Sequence, residues 1–83
     1  MDVRVERSET VIEETAELIR TISERIAERT NGRIRDLEVE ITQGVVRVRG
    51  RTSRFYFKQL ATSAVLDSDF GLELENEISV GVR

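Results

Sequence analysis

The stretch "DLEVEITQGVVRVRG", residues 36–50, decides the fold. Leu37, Val39 and Ile41 alternate with Glu38 and Glu40, and Val46 and Val48 alternate with Arg47 and Arg49. Two period-two runs around "TQGV" read as a β-hairpin. Pairing Ile41 with Val46 puts Glu40 opposite Arg47, Glu38 opposite Arg49 and Asp36 opposite Arg51. Each outward pair is then opposite in charge, and each inward pair is apolar or glycine. Cross-strand ion pairs stabilise by only ~0.2–1 kcal/mol each. Their main effect is on register, because a one-residue slip would turn the whole apolar set to solvent.

Upstream of the hairpin, a helix is expected from about Thr10 to Thr30. Thr10 and Glu13 have the spacing of a capping box, and Ile12, Ala16, Ile19, Ile22 and Ile26 recur at three- and four-residue steps as one apolar stripe. Asn31 and Gly32 tolerate the left-handed conformation that ends helices. Residues 1–9 read as an N-terminal arm in which Val3 and Val5 alternate, leaving 10–83 as one domain.

Downstream, Thr52 or Ser53 is placed to cap a second helix from about Arg54 to Leu66, with Phe57, Leu60, Ala61 and Ala64 inward. "DSDFG" breaks it, and "LELENEISV" is a third strand. Leu72, Leu74, Ile78 and Val80 share one face of that strand, and Glu73, Glu75 and Glu77 the other. Asn76 falls on the apolar parity, so its amide needs hydrogen-bond partners; a strand-to-helix tie is expected.

The order α-β-β-α-β implies an α+β fold, a three-stranded mixed sheet with two helices packed on one face. The second and third strands should run parallel through a right-handed crossover. An arginine strand between two glutamate strands neutralises both neighbours, so the second strand is expected in the centre.

Eighty-three residues make one domain with a modest core. There is no cysteine and no histidine, which removes disulfides, the commonest general base and the commonest transition-metal ligand. No metal or other cofactor is expected. The net charge is −3, unevenly spread: residues 33–58 carry seven bases and three acids, while both flanks are acidic. Overall acidity argues against general nucleic-acid binding, and the basic middle leaves room for a local anion site. The opening "MDVRVERSET" has no apolar run, so the chain as it stands reads as cytoplasmic; a leader removed upstream would make it periplasmic.

Gly44 in the hairpin turn, Val46-x-Val48-x-Gly50, the small polar Ser53 before a helix, and Leu74-x-Asn76-x-Ile78-x-Val80 resemble the BON domain family (bacterial osmotic-stress and nodulation) over roughly residues 12–80. "GLELEN" is one residue shorter than that family's pattern, which implies either a tightened turn before the last strand or a different register of that strand. The resemblance implies a non-catalytic module that attaches to phospholipid surfaces, most often in envelope-facing bacterial proteins. Gly44, Gly50 and Asn76 are expected to be structural.

The candidate ligand-binding residues are Arg51, Arg54, Phe55, Tyr56 and Lys58. They surround the start of the second helix, whose free N–H groups and dipole favour anions. At ~100° per residue, Phe55 lies about 160° from the inward Phe57 and groups with Gln59, Thr62 and Leu66. Exposed rings beside cations suit a lipid phosphate and the interfacial layer. The structural alternative has Phe55 packed under the N-terminal arm and the arginines paired with acids.

For the outward arginines of the second strand, Arg47, Arg49 and Arg51, an internally neutralised face is the expected reading. A nucleic-acid surface would want unpaired cations and outward aromatics on the sheet. The glutamates lie on an open face without a cleft to perturb them, so no catalytic residue is expected. A second class of function also fits: a protein-interaction or homodimerisation module using the margin of the first helix near Val11 and Leu18, the arm, or a free sheet edge.

Overall fold

The computed structural model describes the backbone of residues 3–68 and 70–81 and the side chains of residues 13–68 and 70–81. The elements are α1 (Val3–Thr30), β1 (Arg35–Thr42), β2 (Val45–Thr52), α2 (Phe55–Leu66) and β3 (Glu73–Val80). They form one sheet in the order β1-β2-β3. β1 pairs antiparallel with β2, and β2 parallel with β3. The arginine strand is central, as the charge argument requires.

Both helices lie on the apolar face of the sheet. Ile22 and Ile26 of α1, Ala61, Ala64 and Val65 of α2, Val46 and Val48 of β2, and Ile78 of β3 form the buried cluster, closed by Ile34. α1 and α2 run in opposite directions. Arg25 and Arg29 of α1 reach the far end of α2, at Ser68 (2.8 Å) and Asp67 (3.3 Å), while Arg33 lies over the ring of Phe57 at the near end.

The helix α1 begins at Val3, not Thr10, so the backbone of residues 3–9 is helical where alternation suggested an extended arm. Extending an existing helix costs far less than nucleating one. The side chain of Thr10 lies outside the described residues, and with it the proposed cap. The buried stripe is also displaced. Ile22, Ile26 and Thr30 are buried and Leu18 packs against the core, but Ala16 is exposed. At 28 residues α1 is roughly 42 Å long against roughly 26 Å for an eight-residue strand, so its first turns outrun the sheet.

α1 closes with a Schellman arrangement. Asn31 takes φ +54°, Gly32 N–H donates to the Ala27 carbonyl at 2.9 Å, and Asn31 N–H donates to the Glu28 carbonyl at 3.3 Å. In the hairpin, Gln43 and Gly44 have φ +51° and +79°, the backbone of a type I′ turn whose twist matches the strands.

The hairpin register is the expected one for Ile41–Val46, Glu40–Arg47 and Glu38–Arg49. It then departs. Arg35, not Asp36, is the Cα partner of Arg51, because β1 carries one extra residue between Arg35 and Glu38. Asp36 sits in that bulge at φ +55°, a conformation aspartate tolerates better than most residues. Gly50 faces the bulge. A Cβ there would lie 2.7 Å from Ile34 Cγ2 and 3.0 Å from the Arg35 carbonyl oxygen, so glycine is what lets Ile34 be buried.

Candidate functional site

The outward face of β2 carries Arg47, Arg49 and Arg51 in a row, and the neighbouring strands treat them differently. Arg47 donates from Nε to Glu75 Oε1 at 3.0 Å and from Nη1 to Glu40 Oε1 at 3.2 Å, with Glu77 at 3.5 Å. The hydrogen bond and charge of Glu75, helped by Glu40 and Glu77, hold its guanidinium above the ordinary arginine range. Arg49 pairs with Glu77 at 3.1 Å and Glu40 at 3.6 Å. This part of the face is internally neutralised.

Arg51 is flanked by Arg35 on β1 and Ser79 on β3. The bulge swings Asp36 to it at 2.6 Å, so the expected pair forms through an altered backbone. Both side chains are about two-thirds exposed, at 69% and 70%, and such a pair is weak and exchangeable. Like charges opposite one another, as in Arg35 and Arg51, work against pairing.

These residues belong to a cleft of about 430 Å³ at the end of the sheet. The α1–β1 connection contributes Gly32 and Arg33, β1 contributes Arg35, the end of β2 contributes Arg51 and Thr52 followed by Ser53, and the end of β3 contributes Ser79 and Val80 followed by Gly81. Among the described residues, neither Arg33 nor Arg35 has a carboxylate within ion-pair distance. Thr52 is 7% exposed, and its Oγ1 is buried with no hydrogen-bond partner among them. The carboxyl ends of two parallel strands and the start of the intervening helix meet here, which is where open α/β sheets commonly bind ligands.

The start of α2 lies beside this cleft. Neither Thr52 nor Ser53 caps the helix. Thr52 is held in the sheet as the partner of Val80, its carbonyl accepting from Gly81 N–H at 2.9 Å. The N-cap is Arg54, extended at φ −133° and ψ 137°, with no side-chain cap and no acid in the first turn. An arginine side chain has no acceptor to offer the free N–H groups.

Phe55 is 57% and Tyr56 60% exposed, which rules out burial of Phe55 beneath the chain's first residues. The antiparallel course of α1 leads its first turns away from this end. Tyr56 packs at 5.5 Å, tilted 60°, against Phe57, which lies against the core. Arg54 is exposed and Lys58 half-buried, and neither has a carboxylate partner among the described residues. All five candidate residues, Arg51, Arg54, Phe55, Tyr56 and Lys58, therefore follow one another around one end of the molecule.

Asn76 Nδ2 donates to the Lys58 carbonyl at 2.9 Å and to Thr62 Oγ1 at 2.8 Å, and its Oδ1 accepts from Ile78 N–H at 3.0 Å. It ties β3 to the first turns of α2 and so positions the helix that carries the aromatics.

Arg33, Arg35, Thr52 and Ser79 are additions that the sequence did not single out as a site. The signal was Asp36, a residue type suited to a bulge; a straight register hid the Arg35–Arg51 opposition. Among the described residues no three His, Cys, Asp or Glu side chains are grouped to hold a metal ion, and no helix is long and apolar enough to cross a membrane. In comparisons with family models, curated proteins and solved structures, nothing matches the chain.

Proposed function

We propose that this protein is a non-catalytic binding module that attaches peripherally to anionic phospholipid surfaces through Arg51, Arg54, Phe55, Tyr56 and Lys58, as its resemblance to BON domains implies. One observation carries the reading: two large aromatic rings stand 57% and 60% exposed at a cationic, uncapped helix start. Aromatic rings favour the membrane–water interface, where an apolar body and a wet edge are both accommodated. Basic side chains add ~1 kcal/mol each near an anionic surface. With so few cations the attachment is weak, reversible and screened by salt.

Co-sedimentation with phosphatidylglycerol-containing and neutral vesicles, at low and moderate salt, tests this. Pelleting is expected only with the anionic vesicles, with loss on adding salt and in Arg54→Glu. Absence of pelleting under every condition would refute lipid attachment and move the function to a protein partner.

A further inference from the structure

We infer that the cleft at the ends of β2 and β3 binds a terminal phosphate group, that of a phosphate monoester, through Arg33, Arg35 and Arg51. It shares only Arg51 with the aromatic surface and does not depend on that surface meeting a membrane.

Three features converge. Three arginines line one concavity, and only Arg51 has a carboxylate partner among the described residues, in a pair that is 69% and 70% exposed and so easily exchanged. Guanidinium forks match the oxygens of a phosphate in paired hydrogen bonds. Second, Thr52 is one of the lining residues, and its hydroxyl is buried with no hydrogen-bond partner among the described residues. A buried unsatisfied hydroxyl costs stability. Ser53 and Ser79 add two hydroxyls at the rim.

Third, like charges oppose one another here. The bulge at Asp36 sets Arg35 directly against Arg51, a pairing of like charges that a bound dianion would relieve. A phosphate diester offers one charge and two non-bridging oxygens. A monoester offers close to two charges and three terminal oxygens, nearer to what three arginines and the two rim hydroxyls supply.

The same chemistry arises from a soluble phosphate ester or from a lipid with a terminal phosphate, so the test has two arms. In the first, glycerol 3-phosphate is titrated into the folded protein at constant ionic strength, with chloride as the matched control, and backbone amide shifts are followed. Saturable shifts at Gly32, Arg33, Ser53 and Gly81 are expected. They should weaken roughly tenfold in Arg33→Gln or Arg35→Gln, each removing one charge-assisted fork from an exposed position. Thr52→Val, close in shape, should also weaken the titration while keeping the fold. In the second arm, phosphatidic acid vesicles are compared with phosphatidylglycerol vesicles of equal surface charge. A preference for phosphatidic acid that Arg35→Gln removes identifies a lipid source; saturable shifts without that preference identify a soluble one. No saturable shift, or one unchanged in all three variants, overturns the proposal even if the protein pellets with anionic vesicles.

Discussion

Arg47 and Arg51 lie on the same strand and the same face, yet they end in opposite situations. Arg47 sits between Glu40 and Glu75, with Glu77 within reach, and its charge is absorbed by the sheet. Arg51 sits between Arg35 and Ser79, lines the same cleft as Arg33, and has one exposed carboxylate partner among the described residues. The residue type is identical. What differs is the neighbouring strands: regular in the middle, bulged on one side and ending on the other. A strand of arginines can thus be structural over one stretch and available for binding two residues later.

The largest effect expected from breaking this contrast comes from Gly50→Val. The new side chain has to displace Ile34 or the Arg35 backbone, and overpacking of this kind costs about 1–3 kcal/mol. Urea denaturation should register the loss. Amide shifts should change around Arg35, Asp36 and Arg51 and remain near their original values at Glu40, Arg47 and Glu75.

Phe55→Ser addresses the exposed end alone. Its ring makes no contribution to the buried cluster, so thermal stability should hold. Affinity for phosphatidylglycerol vesicles should fall by about tenfold, equivalent to ~1.4 kcal/mol, if the ring enters the interface. Unchanged vesicle binding would remove the aromatic pair from the site.

Thr52→Val should raise stability by about 1 kcal/mol, since it deletes an unsatisfied buried hydroxyl while keeping the shape. A rise in the denaturation midpoint would mark this hydroxyl as held against stability, which is expected of a binding group and not of a structural one.

The smallest and most direct comparison is Arg47→Gln beside Arg51→Gln. The first leaves Glu75 without its cation and Glu40 and Glu77 with Arg49 alone, and should lower the thermal midpoint. The second removes one exposed pair and should leave the midpoint within error. Equal shifts for the two variants would erase the distinction between the neutralised face and the end of the sheet.

Much of this was legible in the residues. Alternation in Leu37–Ile41 and Val46–Val48 set the hairpin, and the charge complement of Glu40, Arg47 and Glu75 set the strand order. Asn76, polar on an apolar parity, announced a tie between strand and helix. The start of α1 was not legible, because Thr10 and Glu13 match a cap by spacing alone. Nor was the cap of α2. Thr52 has the right side chain, but pairing with Val80 takes it into the sheet.

The sequence by itself determined the element order, the two-faced sheet and the hairpin register from the turn as far as Glu38–Arg49, since these follow from local periodicity and from charges a few residues apart. Only the tertiary structure decided which arginines lack a carboxylate partner among the described residues. That outcome depends on the bulge at Asp36, on where β3 ends, and on Arg33 arriving from the far end of α1. These are contacts between segments distant in the chain, and their energies are too small and too dependent on geometry for any one segment to encode.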